Sequence, residues 1–208
     1  MNRRNVGIFV LDGVEVLDFA GPFEVFSRTR LDPGIESRRS DETAPFEVFT
    51  VGASPGMVTA TGGLRIEPSY TFETAPSIDL LVVPGGFGTR ALVNDAGTLA
   101  WIRTVAERSE RLTSVCTGAL LLAAAGLLRD RPATTHWGAL DLLGQIDMSV
   151  RVQRDVRVVH DGAVTTSAGV SAGIDMAIDV VRRMFGDDVA DDVVRYMEYE
   201  PGRQAPLR

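Results

Sequence analysis

A single cysteine, Cys116, lies in "LTSVCTGALLLAAAGLL", Leu112 to Leu128. A short strand-like run precedes it and an apolar helical run follows. A residue at such a turn presents its side chain above the carboxyl edge of a sheet, at the start of the next helix. Nucleophile elbows use this geometry and need small residues two positions to either side. Ser114 and Gly118 meet that requirement. Free cysteines also serve as buried packing residues, so the local pattern leaves both roles open.

Two features bear on reactivity. A helix N-terminus favours the thiolate by roughly 1–2 kcal/mol, which takes a thiol from about 8.5 to about 7. That ionises it only partly near neutrality, so strong activation needs another partner. The turn "PGGFG", Pro84 to Gly88, ends a strongly apolar strand. Its glycines let backbone N–H groups face a ligand. Gly86 and Thr117 N–H are expected to form an oxyanion-type donor pair. The spacing in "PGGFGTRA" is not the dinucleotide fingerprint.

The elements that must position these residues alternate. "NVGIFVLDG" predicts a buried parallel strand and a turn, and "VEVLDFAGPFEVFSRTR" a helix with Leu17, Ala20, Phe23 and Phe26 toward the core. Pro22 is expected to break or kink that helix, or to open its main segment. Residues 31–45 form a polar, exposed loop. "FEVFTVG" is a strand, and "MVTATGGLRIEP" a small hairpin turning at Gly62-Gly63. "IDLLVVPGGFG" and "RLTSVC" are strands, each followed by a helix. "THWGALDLLGQI" predicts a further helix, and "VRVVHDGAVTTSA" two strands joined at Asp161-Gly162. Two helices follow. The order implies an α/β fold with a mostly parallel sheet.

The 208 residues carry a formal charge of -7, which argues against a phosphate-backbone binder. The arginines of "ESRRSD" and "VVRRMFG" read as solvated surface. One cysteine cannot form an internal disulfide, and no apolar stretch suits a membrane span. A cytoplasmic protein is expected. Two histidines and one cysteine leave no His-rich metal site and argue against structural zinc.

"VVPGGFG", "SVCTGALLLAAAGLL", "ATTHW" and "TSAGVSAGIDMAIDVV" together resemble the ThiJ/PfpI superfamily. Within it, "VLDFAGPFEVF" with "SVCTG" resembles the isonitrile hydratases. The likeness runs from the first strand to "MEYEP", with no counterpart for Ser37 to Thr43. It implies one flavodoxin-like domain over 1–208, a three-layer α/β sandwich like that of class I glutamine amidotransferases, assembled as a homodimer. It also implies a cysteine nucleophile paired with an acid from the segment after the first strand. Only Asp18 among Asp12, Glu15 and Asp18 fits the "LDFAGP" pattern. Without the resemblance Asp18 reads as a capping or surface acid.

An ionised carboxylate would raise the thiol pKa, whereas a protonated one would donate to the thiolate. The pair should therefore share one proton. Thr117 follows the cysteine, so the Cys-His-Gly of peptidase relatives is absent, as is a glutaminase His-x-Glu pair. The resemblance puts His136 near the active-site region, while His160 beside the hairpin turn reads as structural. Trp101 and Trp137 read equally as core or dimer residues.

The implied activity is hydration of isonitriles to N-substituted formamides through a thioimidate-like adduct on Cys116. Asp18 serves as proton donor and water activator, and Thr117 contacts substrate or Asp18. Water is the second substrate, and no cofactor, nucleic acid or membrane partner is expected. The alternatives are a redox sensor, a chaperone, a glyoxalase-like protein, or a sensing domain related to AraC-type regulators. No helix-turn-helix fits in "GRQAPLR".

Overall fold

The computed structural model describes residues 3–201; the segment "GRQAPLR" lies outside the described residues. The chain begins with β1 (Arg4–Phe9), α1 (Val16–Arg28) and β2 (Phe46–Gly52). A small hairpin of β3 (Val58–Thr59) and β4 (Arg65–Ile66) follows, then β5 (Tyr70–Thr71), β6 (Leu80–Val83) and the short α2 (Thr89–Leu92). Next come α3 (Ala96–Ala106), β7 (Arg111–Val115), α4 (Gly118–Ala124), β8 (Pro132–Ala133), α5 (Leu140–Ile146) and β9 (Arg151–Val152). The last elements are β10 (Val158–Asp161), β11 (Val164–Ser167), α6 (Ala172–Phe185) and α7 (Asp187–Tyr196).

Seven strands form one sheet in the order β10-β11-β7-β6-β1-β2-β5. Every pairing is parallel except the β10–β11 hairpin. The central strand β6 is buried at all four residues, "LLVV", because helices cover both faces of the sheet. On one face α1 packs on α6 and α6 on α7; on the other α4 packs on α2, α3 and α5. This is a flavodoxin-like three-layer arrangement. The connections reverse direction between β1 and β6, so a crevice opens at their carboxyl ends.

The structure changes three details of the reading above. The helix α1 runs unbroken through Pro22, its seventh residue. The missing N–H there releases the Asp18 carbonyl from the helical ladder. The buried face of α1 is Asp18, Phe19, Gly21, Pro22, Val25 and Phe26, whereas Leu17 is exposed. The reason is that α1 is enclosed on two sides, by the sheet and by α6. A Cβ on Gly21 would lie 2.8 Å from Ile174 Cγ1.

The third concerns the arginines. Arg38 is buried, ion-paired with Asp192, with its guanidinium 5.1 Å from the Tyr196 ring centroid. The side chain of Arg30 is buried too, donating to Ser37 O, Ser40 O and Asp41. The loop 31–45 is largely exposed, as expected, but it carries a 3-10 turn over Ile35–Arg39 and is anchored at these two points. Arg39 and Arg183 are exposed as predicted, and Arg182 bridges Asp179, Asp187 and Asp191.

Candidate active site

Cys116 follows the last residue of β7 and adopts φ 55, the left-handed region that side chains rarely enter. Its N–H meets Ser167 O and Ala168 O, each at 3.2 Å, and its carbonyl accepts the Thr135 hydroxyl at 2.7 Å. Those bonds hold the backbone in the strained turn. A Cβ on Gly118 would overlap the Val83 carbonyl oxygen, so α4 reaches this close to β6 only with glycine there. The small-residue requirement of the elbow has a direct physical cause. The side chain is 6% exposed and lines a hollow of about 150 Å³.

Asp18 comes from the first turn of α1 and is 0% exposed. It is neither a surface acid nor a cap. Its Oδ2 accepts Gly85 N–H at 3.0 Å, and Oδ1 is buried with no hydrogen-bond partner among the described residues. Burial pushes this carboxyl up to about 7, against the lowering effect of Gly85 N–H and the Cys116 thiol. Glu15, at the mouth of the hollow, raises it further through its charge.

Cys116 faces the same desolvation. Burial first, then the charge of Asp18, pushes the thiol up to about 12. The expected lowering by the helix terminus is therefore outweighed. Thr117 N–H and Val170 N–H act in the opposite direction, both favouring the thiolate. The two groups form one unit that sheds its first proton near neutrality and holds the second. With Asp18 at about 7 and Cys116 at about 12, the remaining proton rests chiefly on sulfur, and moving it to Asp18 gives the reactive tautomer, a thiolate beside a carboxylic acid.

The other expected residues fall around this pair with different jobs. Gly86, at φ 128, donates its N–H to Thr117 Oγ1 at 2.9 Å. That N–H therefore holds the Thr117 hydroxyl, and Thr117 N–H acts on the sulfur without it. The Thr117 hydroxyl lies among Gly86 N, Gly86 O and Thr89 Oγ1, at 2.9 to 3.1 Å, and not on Asp18. His136 lines the hollow; its Nδ1 accepts Gly138 N–H at 3.2 Å, and burial then Arg90 lower its pKa. It is thus a neutral ring at the rim. Phe87, 74% exposed, and Arg90 complete that rim. His160 is outside the site, between Thr165 Oγ1 at 2.9 Å and Asp179 at 3.3 Å. Trp101 packs in the core against Phe9 and Phe72, whereas Trp137 is exposed beside His136. Among the described residues no cluster of three or more His, Cys, Asp or Glu is placed to hold a metal, and no helix is long and apolar enough to cross a membrane.

Sequence reasoning missed two contributors. Gly85 supplies the N–H on Asp18, and a Cβ there would lie 3.0 Å from Asp18 Oδ2. Val170 is the stronger case. It is β-branched, yet it sits at φ 52 and lines the hollow beside Cys116, where its backbone N–H favours the charged forms of both Asp18 and Cys116. Holding such a residue there costs about 1–3 kcal/mol. The only sequence signal was its place in "SAGVSAG", between a strand and a helix.

Residues 4–183 match the DJ-1/PfpI family. The chain belongs to the DJ-1/PfpI family. An isonitrile hydratase of Pseudomonas putida is 37% identical over 196 residues, 94% of this chain and 78% of that protein. A THiJ/PfpI family protein from Pseudomonas syringae superposes with a TM-score of 0.84 at 33% identity, over 98% of this chain and 78% of that one. The transcriptional regulator CdhR of Pseudomonas aeruginosa is 32% identical over 69% of this chain but only 42% of its own length. Drosophila melanogaster DJ-1beta shares the fold, with a TM-score of 0.79 at 18% identity over 96% of this chain and all of that one. DJ-1/PfpI proteins thus include both an enzyme and a regulator among the relatives of this chain.

Proposed function

We propose that this DJ-1/PfpI protein hydrates isonitriles, R–N≡C, to N-substituted formamides. The observation that carries the reading is Asp18. It is a fully buried carboxyl, beside an elbow cysteine, with a pKa raised to about 7. A carboxyl at about 7 can take up and give back a proton at neutral pH, which is what the chemistry requires. The 37% identical isonitrile hydratase supports the same reaction.

The thiolate of Cys116 attacks the terminal carbon, forming the S–C bond, while Asp18 delivers its proton to that carbon. The adduct is a thioimidate, R–N=CH–S–Cys116. Water then adds to the same carbon. One of its protons goes to nitrogen and the other returns to Asp18. The S–C bond breaks, the formamide R–NH–CHO leaves, and the thiolate–acid pair is restored. Water is the only co-substrate. Thr117 N–H and Val170 N–H steady the sulfur's charge before attack and as it departs. The small hollow suits the isocyano group, and the exposed Phe87 at its rim offers an apolar surface to R.

The test is formamide production by the purified protein from a small aliphatic isonitrile, followed by NMR. Wild type turns over and Cys116→Ala does not. Hydration by Cys116→Ala would remove the mechanism. No hydration by wild type, with consumption of methylglyoxal, would favour the glyoxalase-like alternative. Tight isonitrile binding without turnover would favour a sensor. A homodimer belongs to this proposal and is checked by light scattering.

A further inference from the structure

Val170 makes its contribution only because the left-handed turn at Gly169–Val170 is held. Arg157 encloses that turn from both ends. Its backbone carbonyl accepts Ala168 N–H at 2.8 Å, two residues before Val170. Its Nη2 donates to Ser171 Oγ at 3.3 Å, one residue after. Its Nε donates to Asp175 Oδ2 at 2.6 Å, in the first turn of α6. Asp175 Oδ1 in turn accepts the Tyr199 hydroxyl at 3.1 Å. The Arg157 and Asp175 side chains are 12% and 10% exposed, so this is a built clamp and not a surface pair. Arg157 does not line the hollow that Cys116 occupies.

We propose that Arg157 is a positioning residue, which brackets Val170 and keeps its N–H directed at the Cys116–Asp18 pair. Gly173 N–H also holds the Val170 carbonyl at 3.2 Å; without the guanidinium the turn loses its side-chain tie to Ser171 and α6, which opposes relaxation of a β-branched residue out of the left-handed region. The N–H then rotates away, and the anionic form of the pair loses a donor.

The chain has one cysteine, so iodoacetamide reports on Cys116 alone. Alkylation rates are measured against pH for wild type, Arg157→Ala, Arg157→Lys and Ser171→Ala. The titratable groups at the site are Cys116, Asp18, Glu15 and His136, with Arg90 as a fixed cation. The readout is the midpoint of the rise, because a looser hollow changes the plateau and not the midpoint. Arg157→Ala moves the midpoint upward by about half to one pH unit, a roughly three- to tenfold loss of rate on the rising limb. Arg157→Lys, which reaches Asp175 but not Ser171 as well, gives a smaller shift. Ser171→Ala removes one contact and shifts in the same direction. Arg38→Ala, which weakens the fold far from this turn, leaves the midpoint in place. If Arg157→Ala does not fold, the Arg157→Lys and Ser171→Ala pair decides. A wild-type midpoint in the folded Arg157 and Ser171 variants overturns the proposal. The consequence for turnover rests on the hydratase reading: kcat falls about tenfold with KM within about threefold. A shifted midpoint in a protein that hydrates no isonitrile would keep Arg157 in this role and discard that reading.

Discussion

Replacing Asp18 by Asn should make this protein more stable while stopping its chemistry. A buried carboxyl resists ionisation. The folded state holds the Asp18 proton until about pH 7, whereas the ordinary value is 3.8. Below about pH 4 both states are protonated and the group contributes nothing. Between pH 4 and 7 the unfolded chain releases its proton and the folded one does not. Stability therefore falls as pH rises, then levels off above 7. At about 1.4 kcal/mol per tenfold in proton affinity, the cost is roughly 2 kcal/mol at pH 5.5 and on the order of 4 kcal/mol at pH 8. Asn has no proton to lose and can still accept Gly85 N–H. Urea denaturation of wild type and Asp18→Asn at both pH values tests this directly. Asp18→Asn is expected to gain stability at pH 8, by about 2 kcal/mol more than at pH 5.5, with formamide production lost. A difference that ignores pH, or a variant less stable at pH 8, would refute the account of Asp18 as an acid held against its own desolvation.

The catalytic form carries one proton on the Cys116–Asp18 pair, so kcat/KM should rise about tenfold per pH unit below an apparent pKa near 7 and then level off; a flat profile from pH 5 to 8 contradicts the shared proton. Cys116→Ser should fold like wild type, measured by circular dichroism, and lose at least a thousandfold in kcat, because a hydroxyl is not ionised in such a site. Gly118→Ala should fail to accumulate as folded protein, since the added methyl would meet Val83 O; a variant with wild-type melting behaviour would show that the elbow is not sterically fixed. Arg38→Ala should lose about 1–3 kcal/mol in urea denaturation, because the partly exposed Asp192 keeps Gly34 N–H but loses its buried guanidinium partner.

Much of this fold is visible in one-dimensional pattern. The unbroken apolar runs at β1 and β6 announce strands covered on both faces, and Asp161-Gly162 and Gly62-Gly63 mark both hairpins. The elbow is also legible, because Ser114 and Gly118 flank Cys116 at the required distance. What pattern alone misses is set by tertiary contact. Asp18 has the composition of a surface acid, and only the packing of α1 under α6 and beside β6 makes it a buried one. Helical periodicity places Ala20, Phe23 and Phe26 against the core but also Leu17, which is exposed, and it misses the second buried side of α1 because two neighbours, not one, enclose it. Arg38 looks like solvated charge until Asp192 and Tyr196 enclose it. Val170 gives no sign of its conformation, since a valine in a strand-to-helix loop is ordinary and its φ is imposed by Arg157, Ala168 and Ser171 from outside.

The sheet order has a consequence for how the site comes into being. Asp18, Gly85, Cys116 and Val170 arrive from α1, the β6–α2 turn, the β7–α4 turn and the β11–α6 turn, spread over most of the chain. They meet only when β1, β6, β7 and β11 are all in parallel register, and such long-range pairings close late. During refolding, Cys116 should alkylate as an ordinary free thiol until these strands are paired. Its switch in alkylation behaviour is therefore a clock for completion of the whole sheet.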